Sequence, residues 1–137
     1  IAPTILNLAG ITIPDYMQGE SMLNLLKGKK EKNWRKAILF EYFLDTYWPY
    51  AGPIQIAVRT ERYKLVDSFL KNDIDELYDL NKDPGEMNNL INTAKYDGIE
   101  ADLRAEASLL KKQYKYNPQR DWWLNKVMKS KRNKKIH

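Results

Sequence analysis

The sequence predicts an α+β fold: a four-stranded antiparallel sheet with one long C-terminal helix packed on it, preceded by two short helices. Two observations carry this reading. Four short runs rich in β-branched, aliphatic and aromatic residues lie between positions 37 and 80, the last three separated by short connections. Beyond them, Ile99, Leu103, Ala107, Leu110 and Tyr114 recur at steps of four or three, the spacing of one helix face.

In chain order, residues 2–9 form the first helix, with Pro3 suited to the opening turn and Gly10 to the stop. Its apolar residues, Ile5, Leu6, Leu8 and Ala9, occupy nearly every side, so it is expected to pack on a domain outside this chain. Pro14-Asp15 marks a connection. A second short helix opens at Glu20 or Ser21 and closes at Gly28, with Met22, Leu23, Leu25 and Leu26 as its buried stripe. The lysine-rich stretch 27–33 reads as a solvated loop.

The first strand, Ala37–Phe43, is apolar on both faces and is therefore expected to be central or well covered. Ile54–Thr60 alternates, with Ile54, Ile56 and Val58 on one face and Gln55, Ala57 and Arg59 on the other. A tight turn at Glu61-Arg62 leads into Tyr63–Phe69, and Asp75–Leu80 supplies the fourth strand. Asp83-Pro84 then reads as a helix start, with Asp83 as N-cap, Glu86 completing a capping box, and Met87, Leu90 and Ile91 on one face of a helical turn. Asp97 is expected to cap the long helix, which runs to about Tyr116 before Asn117-Pro118. Asp121–Met128 adds a helical turn that folds Trp122 and Trp123 back onto the domain. The resulting division is a helical segment, 1–33, an α+β subdomain, 34–128, and a tail, 129–137.

Composition narrows the chemistry. The 137 residues include no cysteine, which excludes disulfides, thiolate metal sites and a cysteine nucleophile within them. One histidine, His137, cannot build a His-based metal site. No apolar run is long enough to span a membrane. Of the 23 basic residues, five lie in 129–137; the remaining 18 match the 18 acidic ones, so the net charge of +5 belongs to the tail. That tail is expected to be disordered, and the alternative function it offers is salt-sensitive, non-enzymatic polyanion binding. No phosphate-cradling glycine motif occurs. The acidic cluster Asp73, Asp75, Glu76 and Asp79 lacks calcium-loop spacing and reads as surface solvation. Residues 42–53, between the first two strands, form a long and unusually aromatic loop. Such a loop either buries its rings locally or shows them to a ligand. Asp45, Tyr47, Trp48 and Tyr50 are the substrate-binding candidates.

Four stretches carry a family resemblance in order along the chain. Glu76–Leu80 (ELYDL) followed by Asp83–Leu90 (DPGEMNNL) resembles the strand-and-turn signature near the C-terminus of the type I, formylglycine-dependent sulfatases, bacterial N-acetylglucosamine-6-sulfatase-like enzymes among them. IAPTILNLAG at 1–10 is similar to the helix closing that family's large α/β domain, GESML at 19–23 to its G-x-S-L segment, and VRTERYKL at 58–65 to its hairpin. The resemblance spans roughly residues 1–116. It implies a longer parent that hydrolyses sulfate esters on a sulfated saccharide, with formylglycine, calcium and the catalytic groups in an N-terminal domain. This chain has no C/S-x-P-x-R motif, so no catalytic or metal-binding residue is assigned to it and it is expected to be inactive alone. The implied partners are that domain in cis and the saccharide, with no nucleic acid and no membrane; the implied location is periplasmic or secreted. Arg59 and Lys64 match the hairpin motif and are expected to make ordinary structural pairings.

Overall fold

The computed structural model describes residues 1–42, 55–68 and 74–116. They belong to two compact units, Ile1–Arg35 and Lys36–His137. The loop candidates Asp45, Tyr47, Trp48 and Tyr50, the 121–128 segment and the basic tail lie outside the described residues.

In the first unit, helix α1 spans Ala2–Leu8 with Pro3 in its opening turn. Gly10 takes φ +69°, and Ile11 N–H donates to Leu6 O while Gly10 N–H donates to Asn7 O, the paired closure that a left-handed residue permits. One side of α1 is occupied by the G-x-S segment. Thr4 Oγ1 accepts from Met22 N–H at 3.0 Å, and Ser21 Oγ donates to Asn7 Oδ1 at 2.9 Å. Gly19 lies against Pro3, where an added Cβ would meet its ring at 3.4 Å. The opposite stripe, Ile1, Ile5 and Leu8, is exposed. Helix α2 is a single turn, Leu23–Leu26, closed at Gly28 with φ +72°. Contrary to expectation it has no buried stripe, and Leu26 is open to solvent. One turn cannot sequester four apolar side chains without a second layer over it.

The second unit is a meander. Strands β1 (Ala37–Tyr42), β2 (Gln55–Thr60), β3 (Tyr63–Ser68) and β4 (Glu76–Asp79) pair antiparallel in chain order. Ala37 faces Thr60, Arg59 faces Lys64, and Leu65 faces Leu77. Thr60 closes the β2–β3 turn, its Oγ1 accepting from Tyr63 N–H at 2.8 Å. A 3₁₀ turn, Ala94–Tyr96, leads into α3, Asp97–Gln113. Leu103, Ala107 and Leu110 of α3 are buried against Ala37, Val58, Leu65 and Leu77 on one face of the sheet, with Ile99 and Tyr114 extending the stripe. Each buried leucine there contributes about 1.5–3 kcal/mol.

Charged groups pin this packing from the helix side. Arg104 reaches Asp67 at 2.6 Å, Asp75 at 2.9 Å and Glu100 at 2.8 Å, joining α3 to β3 and to the approach of β4. Burial weakens the Arg104 cation, but hydrogen bonds to Asp75, Glu100 and Asp67 outweigh it and raise its pKa above the usual guanidinium value. Arg62 in the β2–β3 turn grips Asp79 through two hydrogen bonds, 3.1 and 2.9 Å. The solvation expected for the acidic cluster fails at two of its described members: Asp79 is buried, and Asp75 and Asp79 each hold a specific arginine.

Three local expectations need correction. The 83–91 stretch forms turns, not a helical turn, and Met87 is exposed. Asp83 Oδ2 accepts from Asn88 N–H at 2.7 Å, and Glu86 adopts φ +55° with its carboxylate on Lys64. The turn serves the edge of β4. Leu77 N–H donates to Asn89 Oδ1 at 3.0 Å, Asn89 Nδ2 donates to Asp75 O at 3.0 Å, and Leu90 N–H donates to Leu77 O at 2.8 Å. Backbone groups that an edge strand leaves unpaired are thus satisfied by the Asn-Asn-Leu run. Asp97 is inside the first turn of α3 rather than its cap, because the 3₁₀ turn makes Tyr96 the N-cap. Finally, β1 is an edge strand with one face open, not a central one.

Candidate functional site: the open face of the sheet

Strand alternation puts Phe40 and Tyr42 of β1, Gln55, Ala57 and Arg59 of β2, Lys64 and Val66 of β3, and Glu76 of β4 on the face opposite α3. Together they line a concavity of about 350 Å³. The β1 row on this face is apolar and open: Ile38, Phe40 and Tyr42 are 44%, 50% and 55% exposed. Val66 on this face is buried, as is Tyr78, the β4 partner of Lys64.

The polar groups on this face divide by how they are neutralised. Lys64 pairs with Glu86 and lies 6.0 Å from the Tyr78 ring centre. Tyr78 Oη donates to Glu76 Oε2 at 3.1 Å. Burial, followed by the Glu76 charge and hydrogen bond, pushes the Tyr78 phenol above its usual pKa, so it stays protonated at neutral pH. Gln55 Nε2 donates to Ser68 Oγ at 3.2 Å. Arg59 is exposed and has no ion pair or hydrogen-bond partner among the described residues. Among the described residues, the structural pairing expected for both motif cations is therefore present for Lys64 and absent for Arg59.

Tyr42 and Gln55 form the last described pair of the β1–β2 ladder, so the aromatic loop leaves from one end of this face. Asp45, Tyr47, Trp48 and Tyr50 themselves lie outside the described residues. The open face itself escaped sequence reading, although a signal was present: the second apolar face of β1 reads equally as burial within the unit or as surface left for something else.

Among the described residues no group of three or more His, Cys, Asp or Glu side chains is placed to hold a metal ion. Asp67, Asp75 and Glu100 converge, but on Arg104, whose guanidinium fills the position a cation would take. Calcium does not fit this set.

Comparison with known proteins places this geometry. The family model described as N-sulphoglucosamine sulphohydrolase, C-terminal, matches residues 1–113. An N-acetylglucosamine-6-O-sulfatase of Bacteroides thetaiotaomicron is 36% identical over 122 residues, 85% of this chain and 21% of that protein. A Delta 4,5-hexuronate-2-O-sulfatase of the same organism is 36% identical over 105 residues, again 21% of its length. A solved enzyme in complex with its substrate D-glucosamine-2-N,6-O-disulfate superposes with a TM-score of 0.77 at 33% identity, over 85% of this chain and 24% of that one. The chain spans about a fifth of the length of the curated relatives it matches. With a family model matching residues 1–113 of 137, this chain belongs to the N-sulphoglucosamine sulphohydrolase C-terminal family of sulfatases.

Proposed function

We propose that this chain is the C-terminal part of a sulfatase whose remaining, N-terminal part hydrolyses sulfate esters on a sulfated saccharide. In this reading the chain contributes no bond-breaking group. It covers the catalytic domain and borders the substrate pocket through the loop that leaves the sheet after Tyr42. Formylglycine and calcium belong to the catalytic domain. The observation that carries the proposal is the family match over residues 1–113 with sulfatase relatives about four times as long. The exposed stripe of α1 and the open sheet face agree with a unit that is completed by further protein.

The bordering role is tested in the full-length parent by Trp48→Ala. Losing ~1–2 kcal/mol of ring stacking corresponds to a rise in KM of roughly five- to thirtyfold for a sulfated oligosaccharide. A small aryl sulfate, too short to reach the loop, is expected to change much less, because the contact serves a remote part of the substrate. Equal losses on both substrates with a lower melting temperature would assign the loop a structural role instead.

A further inference from the structure

We infer that residues 121–129 dock back on the domain in the groove between α3 and the β1 edge of the sheet. Trp122 and Trp123 enter the groove, and Lys126 and Lys129 lie against Asp102 and Glu106 of α3. This stands apart from the sulfatase reading: the family model ends at residue 113, so the segment lies beyond the family match. Four observations converge on it.

The first is the groove itself. Ala37, Tyr63, Ile99 and Leu103 line a cavity of about 300 Å³, with Asp102 and Glu106 on its helix side and Lys36 on its strand side. Its apolar lining suits an aromatic ring, and its acidic helix side suits a cation. The second is the asymmetry of α3. On one flank Arg104 and Lys111 tie the helix to Asp67 and Asp75. Helical spacing puts Asp102, Glu106, Leu109 and Gln113 on the opposite flank. There Leu109 is 63% exposed, and Asp102 and Glu106 have no ion pair or hydrogen bond among the described residues. Two acids four positions apart on a helix repel each other, and a cation laid across both removes that cost. The third is the sequence that follows. Trp122, Trp123 and Leu124 form an apolar cluster, and of the charged residues in 117–137 seven are basic and one, Asp121, is acidic. Rings followed by cations complement an apolar groove edged by acids. The fourth is reach. Lys115 at φ +52° reverses the chain, Tyr116 N–H donates to Lys111 O, and the Tyr116 ring centre lies 5.9 Å from Lys111 Nζ. From there the path must cross the helix, about 10 Å wide, and climb about 14 Å to Asp102, a straight line of roughly 17 Å. Residues 117–122 extended reach about 20 Å, so Trp122 is the first aromatic residue beyond Tyr116 and is already within range.

Hydroxyl-radical footprinting of the 137-residue chain, read by mass spectrometry, tests the assignment. Tyr63 and Leu109 are expected to oxidise several-fold faster in a Trp122→Ala/Trp123→Ala variant than in the unaltered chain. Met87, exposed in the turn after β4, should react alike in both, and buried Leu65 and Leu77 report that the sheet is folded. Equal rates at Tyr63 and Leu109 would overturn the inference. So would protection that fades on dilution, because a second copy's segment would then fill the groove. Asp102→Lys with Glu106→Lys should raise oxidation of Tyr63 and Leu109 in the unaltered chain and add nothing in the variant lacking both rings. An equal rise in the two backgrounds would assign the acids to the chain's own fold and overturn their role in holding the segment. Protection found only in the full-length sulfatase polypeptide would show that another domain covers the groove, and would overturn the inference whether or not that polypeptide releases sulfate.

Discussion

Asn89→Ala should be far more damaging than Asn88→Ala, although both residues are exposed and adjacent in the DPGEMNNL turn. Asn89 Oδ1 accepts from Leu77 N–H and from Ile91 N–H, each at 3.0 Å, and its Nδ2 donates to Asp75 O at 3.0 Å. Its removal deletes three hydrogen bonds, each with a net contribution of about 0.5–1.5 kcal/mol. Leu77 is the fully buried centre of β4, so its N–H regains a partner only if water enters beside the core. The expected loss is about 2–3 kcal/mol. Asn88 contributes mainly its backbone N–H, donated to Asp83 Oδ2, and alanine keeps that; its side-chain contact with Asp83 is long, at 3.4 Å. Its substitution should therefore cost less than about 0.5 kcal/mol. Asn89→Asp retains both acceptor bonds and loses only the donation to Asp75 O, so it should fall between the two. Urea unfolding of the chain measures this directly. With a slope of about 1–3 kcal/mol/M, Asn89→Ala should lower the midpoint by roughly 1 M or more. Indistinguishable midpoints for the two alanine variants would refute the idea that Asn89 completes the β4 edge.

Other outcomes follow from the same contacts. Leu77→Ala should cost roughly 2–5 kcal/mol in urea or thermal unfolding, because it empties the point where β3, β4 and α3 meet. Lys115 holds φ +52° at the end of α3, where Tyr116 N–H donates to Lys111 O and Lys115 N–H to Lys112 O. Lys115→Gly should therefore raise stability by about 0.5–1 kcal/mol, and a lower melting temperature would contradict that. The hydrogen bond from Arg62 holds the Asp79 carboxyl below its usual pKa, against the opposing effect of burial and aided by the Arg62 and Lys82 charges. Its stabilisation is fully present above the unfolded value of about 3.9 and is lost as pH falls through the lower folded value. Asp79→Asn should lower the unfolding midpoint at neutral pH and shrink its further drop between about pH 5 and pH 2.

Periodicity made the sheet and the long helix legible, since Val58, Leu103, Ala107 and Leu110 each sit on the face the pattern assigned. The two glycine stops, Gly10 and Gly28, were readable because left-handed closure selects that residue. Readings failed where a distant partner overrode local preference. Asp83 and Glu86 have capping-box spacing, yet Glu86 is drawn to Lys64, 22 residues earlier, and Asn89 is spent on β4. Asp79 looks solvated until the hairpin brings Arg62 beside it. The apolar second face of β1 implies a cover, and sequence alone does not say whether that cover belongs to the same unit. For the same reason the open face, with an Arg59 unpaired among the described residues, is not legible as a site in the sequence, while the aromatic loop stands out by composition.

Sulfate release from a sulfated saccharide, such as glucosamine 6-O-sulfate, tests the central claim most directly when the full-length polypeptide and this chain are assayed side by side with calcium. The account predicts inorganic sulfate from the full-length protein and none from the 137-residue chain at any concentration. Turnover that scales with the amount of purified chain would contradict it, as would a full-length protein that releases no sulfate from any sulfated saccharide offered.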